Sequence, residues 1–326
     1  MRYQGKRPRI LLTRKLPEKG MARLRSEADL DLWEEDSAIP RNELLDRAKS
    51  CDGIICLLSE KIDAEVMDCG IKAIGNYAVG YDNIDVEAAT KMGVPVFNTP
   101  GVLTDATADI ALALMLAASR RVVEADSYIR NGKFKGWSPQ LFLGKDLAGS
   151  TLGVIGAGKI GSGVMKRAKC FGMDLLYSSR SRKPEIEEDL SAEYCDKKDL
   201  LRRSDFVSLN VPLTEETHHM IGEDELKLMK DDAILINTAR GPVVDEKALH
   251  DALEKGEIMA AGLDVFEEEP VIYPPLLEMD NVVMLPHLGS ATVNTRVRMA
   301  EMVSSDVLNY LQGKEVENCV NPSVLD

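Results

Sequence analysis

The chain has 326 residues with 54 acidic and 40 basic side chains, so its formal net charge is −14. At about 150 residues per domain, this length predicts two domains. The negative charge argues against nucleic-acid binding, which needs concentrated positive charge, and it provides no attraction to an anionic membrane. The longest apolar run, residues 110–118, is far shorter than the roughly 20 residues that cross a bilayer. The first residues lack the apolar stretch of a signal peptide, so we expect a cytoplasmic protein.

The six cysteines are scattered along the chain, with no CxxC pair and no metal-ligand spacing. Several of them lie in apolar runs, as Cys56 does within residues 53–58. We therefore expect reduced thiols that serve as packing residues, and neither a metal site nor a disulfide framework.

Short apolar runs alternate with amphipathic stretches from one end of the chain to the other. Predicted strands cover residues 10–13, 30–33, 53–58, 72–75, 94–98, 151–155, 174–178, 206–210, 233–237, 260–265 and 282–285. Helical patterns cover residues 41–49, 86–92, 104–118, 159–171, 246–255 and 291–311. This alternation predicts an α/β protein built from βαβ units, with parallel sheets covered by helices on both faces.

The motif Gly156-x-Gly158-x-x-Gly161 lies between a predicted strand and a predicted helix, and a second strand follows. Glycines at this spacing allow a tight turn, a close approach to a pyrophosphate and close packing of helix on strand. Because the motif follows about 100 residues of separate βα pattern, we predict two Rossmann-like domains, one flavodoxin-like and one dinucleotide-binding. Residues 1–100, completed by the C-terminal helix within 288–326, form the substrate domain, and residues 101–287 bind the dinucleotide. A cleft between them is the expected substrate site.

The residues after the second strand of the dinucleotide domain indicate which cofactor is bound. An NAD-binding sheet usually carries an acidic residue about 20 residues beyond the glycines. Here that position is Ser179, followed by Arg180, Ser181, Arg182 and Lys183. These side chains favour a ribose 2′-phosphate, so we predict NADP(H) as the preferred cofactor and NAD(H) as the alternative. A merely solvated basic loop is the other interpretation.

Three later strands end in polar residues that could carry chemistry. Arg240, Asp264 and His287 each stand at or just after a predicted strand end, and the carboxyl ends of parallel strands share one edge of a sheet. Arginine can bind a carboxylate and polarise the adjacent carbonyl, and histidine can deliver a proton near neutral pH. A carboxylate that orients the imidazole could be Glu267, Glu268 or Glu269, and spacing alone does not choose among them.

The chain has four histidines, and only one is well placed for catalysis. His218 and His219 lie in a polar stretch, and His250 lies on the predicted exposed face of a helix. His287 alone follows a buried strand directly into a glycine-containing loop. We therefore predict that His287 is the acid–base residue.

These motifs together resemble the D-isomer-specific 2-hydroxyacid dehydrogenase family over nearly the whole chain. The matching segments are residues 79–85, 156–161, 211–217, 237–241, 262–270 and 286–292. Residues 177–183 and 285–292 are most similar to the glyoxylate/hydroxypyruvate reductases of that family. The resemblance implies reduction of a small 2-oxo acid, and it assigns the family's catalytic arginine, glutamate and histidine to Arg240, Glu269 and His287.

The resemblance also implies the binding residues. The substrate would contact Leu58, Val79 and Gly80 together with Arg240 and His287. The cofactor would contact Thr104, Gly156, Ala157, Gly158, Lys159, Ile160, Gly161, Ser179, Arg180, Ser181, Val211, Pro212, Thr217, Thr238, Ala239, Asp264 and Gly289. A structural role for Asp264 is as consistent with its position. Trp137 lies where family members extend an arm across a partner subunit, which implies a homodimer.

The same motifs are also consistent with other activities of the family. 3-Phosphoglycerate dehydrogenase would need an additional basic group in the first domain, and we expect no appended regulatory domain. Phosphite oxidation and a nucleotide-sensing, corepressor-like binding protein are further alternatives. Asn210 stands where many relatives carry His or Ala, at a position expected near the cofactor.

Overall fold

The computed structural model describes residues 7–325. Its strands are β1 (Arg9–Leu12), β2 (Asp29–Leu32), β3 (Gly53–Cys56), β4 (Ala73–Asn76), β5 (Val96–Phe97), β6 (Thr151–Ile155), β7 (Asp174–Ser178), β8 (Glu193–Tyr194), β9 (Phe206–Leu209), β10 (Ile234–Asn237), β11 (Ala260–Leu263) and β12 (Val282–Met284). Its α-helices are α1 (Glu18–Glu27), α2 (Arg41–Ala48), α3 (Ala64–Met67), α4 (Val86–Lys91), α5 (Thr104–Ser119), α6 (Val122–Arg130), α7 (Lys159–Cys170), α8 (Pro184–Leu190), α9 (Lys197–Arg203), α10 (Glu223–Leu226), α11 (Glu246–Lys255) and α12 (Val293–Leu311). Short 3-10 helices cover Gly241–Val243, Pro274–Glu278 and Pro322–Val324.

The chain divides into two compact units. Unit 1 combines the described residues up to Leu103 with those from Ser290 onward, and unit 2 is the continuous segment Thr104–Gly289. The sequence places these boundaries after residues 100 and 287. Unit 1 is therefore built from two chain segments that are remote in sequence.

Unit 1 contains a five-stranded parallel sheet in the order β2-β1-β3-β4-β5, which is the flavodoxin-like order. One face of the sheet packs on a core that includes Leu44, Val66 and Ile74. On the other face, Gly75 of β4 lies against Val303 and Val307 of α12, so the last long helix covers that side of the sheet.

Unit 2 contains a seven-stranded parallel sheet in the order β8-β7-β6-β9-β10-β11-β12. Its first six strands in this direction follow the dinucleotide-binding order 3-2-1-4-5-6. Helix α5 is buried against this sheet through residues such as Ala111, Leu114 and Met115. The predicted fold class of two parallel α/β sheets is confirmed.

Strand ends differ from prediction by a few residues, and β6 and β7 have the predicted bounds. The sequence did not indicate β8, since its two residues are both exposed and lie at the sheet edge. His250 is less exposed than predicted, because its side chain is 18% exposed and its ring lies edge-on to Tyr273 with the centroids 6.0 Å apart. Among the helices in residues 7–325, none combines the length and the apolar character that crossing a membrane requires.

Candidate active site

The carboxyl-terminal edge of the unit 2 sheet carries Arg240 after β10, Asp264 after β11 and His287 after β12. Strands β10, β11 and β12 are neighbours and run parallel, so the three loops emerge side by side. The structure therefore places these three residues at one edge of the sheet. Their positions at or just after predicted strand ends indicated the same arrangement.

His287 and Glu269 form a hydrogen-bonded pair. The Nδ1 atom of His287 lies 2.9 Å from Oε2 of Glu269, and the backbone amide of Phe266 donates to Oε1 at 3.1 Å. Burial raises the pKa of Glu269, but the hydrogen bond and charge of His287, together with the Phe266 amide and the charge of Arg240, lower the net pKa below its usual value. The carboxylate is thus held in its ionised form beside the imidazole, and this bond leaves Nε2 as the ring nitrogen for a substrate.

Asp264 shapes the loop that presents His287. Its buried carboxylate accepts hydrogen bonds from the amides of Leu288 at 2.6 Å and Gly289 at 2.7 Å, and its carbonyl accepts from the amide of His287 at 2.9 Å. Burial raises the pKa of Asp264, and the two amides oppose that rise. His287 has a left-handed backbone with φ of 55°, a conformation that non-glycine residues rarely adopt. Asp264 therefore stabilises an unusual turn, and this geometry favours its structural role.

Three consecutive glutamates follow Phe266, and two of them contact different histidines. Glu269 contacts His287, whereas Glu267 lies 2.9 Å from Nε2 of His219. Spacing alone could not separate these glutamates, because side-chain direction in a loop depends on backbone angles. His219 is exposed, as the sequence indicated, but its contact with Glu267 was not predicted, since the two residues lie 48 positions apart on separate loops.

Arg240 is held by contacts of its own backbone and side chain. Its carbonyl accepts a hydrogen bond from the side-chain amide of Asn237 at 2.9 Å, and its Nη1 donates to the carbonyl of Ala239 at 2.9 Å. The next residue, Gly241, lies so close to the backbone of Phe266 that a Cβ atom would overlap it. The arginine loop and the glutamate loop are therefore in direct backbone contact.

The glycine motif fits a dinucleotide. Gly156 has φ of 96°, and a Cβ there would lie 2.5 Å from the carbonyl oxygen of Asn210. A Cβ at Gly158, the residue that precedes α7, would meet no atom within 4 Å. Within residues 7–325, the buried Thr238 hydroxyl and Asn210 side-chain carbonyl lack hydrogen-bond partners. An open backbone approach at a helix N-terminus, with unused polar atoms at neighbouring strand ends, suits a phosphate-bearing ligand.

The basic loop after β7 is tied to α8 by Glu187. Arg182 donates to both carboxylate oxygens of Glu187, with Nε 2.8 Å from Oε1 and Nη2 2.8 Å from Oε2. Tyr177 also donates to Glu187 at 2.6 Å and accepts from the amide of Lys183 at 2.7 Å. The side chain of Arg182 and the backbone of Lys183 are thus fixed by the protein itself.

The remaining predicted cofactor residues lie on the same unit. Thr104 begins α5, and the Thr217 hydroxyl donates to the carbonyl of Pro212 at 2.7 Å. The amide of Ala239 donates to the Asn237 side chain at 3.0 Å. Ala157 and Gly289 are buried, while Lys159, Ser179, Arg180 and Ser181 reach the surface to differing degrees, as do Ile160 and Val211.

The predicted substrate residues Leu58, Val79 and Gly80 belong to unit 1. Leu58 follows β3, and Val79 and Gly80 follow β4. Side-chain amides bind the carbonyls of Val79 and Gly80. Asn98 donates to the Val79 carbonyl at 2.7 Å, and Asn76 donates to the Gly80 carbonyl at 2.6 Å.

A dinucleotide-type sheet with an arginine and a histidine–carboxylate pair at its carboxyl edge defines a nicotinamide-dependent oxidoreductase. Residues 112–289 match the model for the D-isomer specific 2-hydroxyacid dehydrogenase NAD binding domain. A glyoxylate reductase of Thermococcus litoralis is 52% identical, with 98% of each chain covered. The chain belongs to the D-isomer-specific 2-hydroxyacid dehydrogenase family.

Solved structures agree with that assignment. A Thermus thermophilus protein has a TM-score of 0.91 and 46% identity, covering 96% of this chain and 99% of its own. An NADPH-dependent glyoxylate/hydroxypyruvate reductase from Sinorhizobium meliloti, solved with NADP and malonate, has a TM-score of 0.85 and 32% identity, covering 97% of each chain.

Proposed function

We propose that this enzyme reduces glyoxylate and hydroxypyruvate to the corresponding 2-hydroxy acids. The observation that carries the proposal is the His287–Glu269 pair at the sheet edge that also bears Arg240. The relatives from Thermococcus litoralis and Sinorhizobium meliloti, which are glyoxylate or glyoxylate/hydroxypyruvate reductases, support the choice of substrates.

Each catalytic side chain has a separate task. The guanidinium of Arg240 binds the substrate carboxylate and polarises the neighbouring carbonyl. Protonated His287 donates a proton from Nε2 to the carbonyl oxygen as the carbonyl carbon becomes tetrahedral. Glu269 orients the ring through Nδ1 and stabilises its positive charge before the transfer. When bound, the reduced dinucleotide supplies the hydride that the carbonyl carbon accepts.

On unit 1, we propose that Leu58 contacts the substrate and that the backbone amides of Val79 and Gly80 bind its carboxylate. The hydrogen bond from Asn98 to the Val79 carbonyl supports this role, because that carbonyl and the Gly80 amide belong to one peptide group. In the same way, the Thr99 amide donates to the Ala78 carbonyl at 2.9 Å and orients the peptide group that carries the Val79 amide. A fixed amide needs no reordering when an anion binds.

The function is tested with a panel of 2-oxo acids, including glyoxylate and hydroxypyruvate, and the oxidation of 3-phosphoglycerate. We expect the highest kcat/KM with the two small 2-oxo acids. Replacing His287 with Asn should lower kcat by about 10²-fold or more, because general acid catalysis contributes at least that much. Normal turnover by that variant, or a clear preference for 3-phosphoglycerate, would contradict the proposal.

We also propose a preference for NADP(H) over NAD(H), in which Arg180 is the main contact for the 2′-phosphate. Ser179 and Ser181 flank it, and no carboxylate stands where NAD-binding sheets carry one. Because Arg182 is already bound to Glu187, it contributes less than Arg180 to binding the 2′-phosphate. The Sinorhizobium meliloti reductase, which is NADPH-dependent, supports the same preference.

Measuring kcat/KM for NADPH and NADH in Arg180→Ala, with Arg182→Ala as the matched control, tests this preference. Loss of a charge-assisted hydrogen bond costs about 1.5–3 kcal/mol, so Arg180→Ala should reduce kcat/KM for NADPH by about tenfold or more. The value for NADH should remain nearly unchanged. A wild-type enzyme that prefers NADH would reject the proposal.

We further propose a homodimer formed through residues 122–143. Helix α6 has no buried residue, and this segment exposes Val122, Val123, Ile129, Phe134, Trp137, Leu141 and Leu143. A run of exposed apolar side chains is typical of an interaction surface, and the family resemblance points to a second copy of this chain.

We also propose a cytoplasmic location. The scattered free thiols support it, because a reducing compartment preserves them.

A further inference from the structure

A loop that contains no predicted catalytic residue runs beside the segment that follows Arg240. The amide of His219 donates to the carbonyl of Pro242 at 2.7 Å, and the amide of Ile221 donates to that of Val243 at 3.1 Å. The amide of Asp245 in turn donates to the carbonyl of Ile221 at 3.0 Å. The backbone of His219 is therefore fixed relative to the arginine loop.

The side chain of His219 reaches a second loop through Glu267. Nε2 of His219 lies 2.9 Å from Oε2 of Glu267, whose Oε1 accepts a hydrogen bond from the amide of Glu246 at 2.7 Å. The buried carboxylate of Glu246 accepts from the amide of Glu267 at 2.8 Å. Each glutamate thus binds the backbone of the other, and His219 occupies the remaining oxygen of Glu267. We call these three residues the His219–Glu267–Glu246 network.

This network ends two residues before Glu269. The Glu269 carboxylate is itself bound to the amide of Phe266, the neighbour of Glu267. A shift of Glu267 would therefore move both the backbone that carries Glu269 and the amide that orients its carboxylate. Since Glu269 holds Nδ1 of His287, such a shift would reach the acid–base pair.

We propose that His219 and Glu267 are positioning residues that hold the Glu269 carboxylate at hydrogen-bonding distance from Nδ1 of His287. This role rests on the function proposed above. Neither residue needs to touch the substrate for it, because they act through the loop that joins Glu267 to Glu269.

Three carboxylates surround the side chain of His219. Glu267 lies against Nε2, Asp245 Oδ2 lies 3.9 Å from Nδ1, and Glu246 lies behind Glu267. Within the described chain, the one other ring that packs against His219 is that of His218, and the two ring centroids are 4.1 Å apart. A hydrogen bond to a carboxylate is charge-assisted and roughly twice as strong as one between neutral groups. The contact between His219 and Glu267 therefore stabilises this loop more than a neutral hydrogen bond would.

The experiment compares His219→Ala, His219→Gln and His218→Ala in the full-length enzyme. The measurements are kcat, KM for glyoxylate, the pH profile of kcat/KM, the dissociation constant for NADPH and the melting temperature. His218→Ala is the matched control, since it removes an adjacent exposed imidazole without removing the contact with Glu267.

We expect His219→Ala to lower kcat about three- to tenfold with little change in KM for glyoxylate, because a misplaced acid–base pair affects the chemical step. The acidic limb of kcat/KM should move to higher pH, since a less well placed Glu269 loses part of the hydrogen bond with His287 that lowers its pKa. His219→Gln retains an N–H that can reach Glu267 and should recover most of kcat. His218→Ala should match the wild type.

A His219→Ala enzyme with wild-type kcat and pH profile would overturn the proposal. A lower melting temperature or weaker NADPH binding without any shift of the profile would also overturn it, because that result describes a structural role alone. So would a His219→Gln enzyme as slow as His219→Ala. The proposed function fails separately, if the wild type does not reduce glyoxylate or if His287→Asn remains fully active.

Discussion

Glu269 illustrates how a single ionisation can limit the reaction. Partial burial penalises its charge, yet the imidazole of His287, the amide of Phe266 and the charge of Arg240 together lower its pKa below the ordinary value of 4.5. A carboxyl whose pKa falls on folding stabilises the folded chain above its unfolded pKa, and that stability is lost as the pH falls through the folded value. Protonation of Glu269 also removes the acceptor that orients His287.

We therefore expect the acidic limb of kcat/KM to lie below pH 4.5. The profile of kcat/KM reports groups of the free enzyme, so initial rates across the acidic range measure this limb. Glu269→Gln should be slower at neutral pH and should lack the limb, and its melting temperature should change less on acidification. An acidic limb above pH 5 that persists in Glu269→Gln would assign that titration to another group.

At the scale of loops and strands, the close approach of Gly241 to Phe266 joins the arginine loop to the glutamate loop. A methyl group at Gly241 would overlap the Phe266 backbone, which cannot rotate away as a side chain could. We expect Gly241→Ala to destabilise the fold by about 1–3 kcal/mol, the usual cost of overpacking, and to lower kcat. Gly222→Ala is the control, because its Cβ would meet only ordinary contacts at 3.8 Å. Equal melting temperatures for the two variants would contradict this expectation.

The sequence predicted every described strand except β8 to within a few residues, because apolar runs with polar termini are local signals. Thus β6, β7 and α11 have their predicted bounds, and Arg240, Asp264 and His287 lie at one sheet edge as expected. Contacts between loops could not be predicted in the same way. The choice between Glu267 and Glu269 depends on the direction of each side chain, and the left-handed backbone of His287 depends on a carboxylate 23 positions earlier, at Asp264.

At the scale of the whole molecule, the exposed apolar segment 122–143 predicts association with a second copy of the chain. Tyr128 and Phe142 pack edge-on with ring centroids 5.2 Å apart, whereas Trp137 remains 85% exposed. Trp137→Glu combined with Leu143→Glu should convert a two-chain species into a one-chain species in sedimentation experiments, because buried charges oppose association. Val293→Glu, which alters another exposed apolar residue outside the segment, should leave the mass unchanged. A one-chain wild type would contradict the proposed homodimer.

The divided chain of unit 1 has a consequence for the order of folding during synthesis. Val303 and Val307 cover the sheet face around Gly75, and the backbone amide of Val96 donates a hydrogen bond to Oδ1 of Asn321 at 2.8 Å. These partners leave the ribosome only after all of unit 2, which is continuous and can fold as translation proceeds. The first strands to be synthesised therefore keep one apolar face uncovered until the last helix has been synthesised.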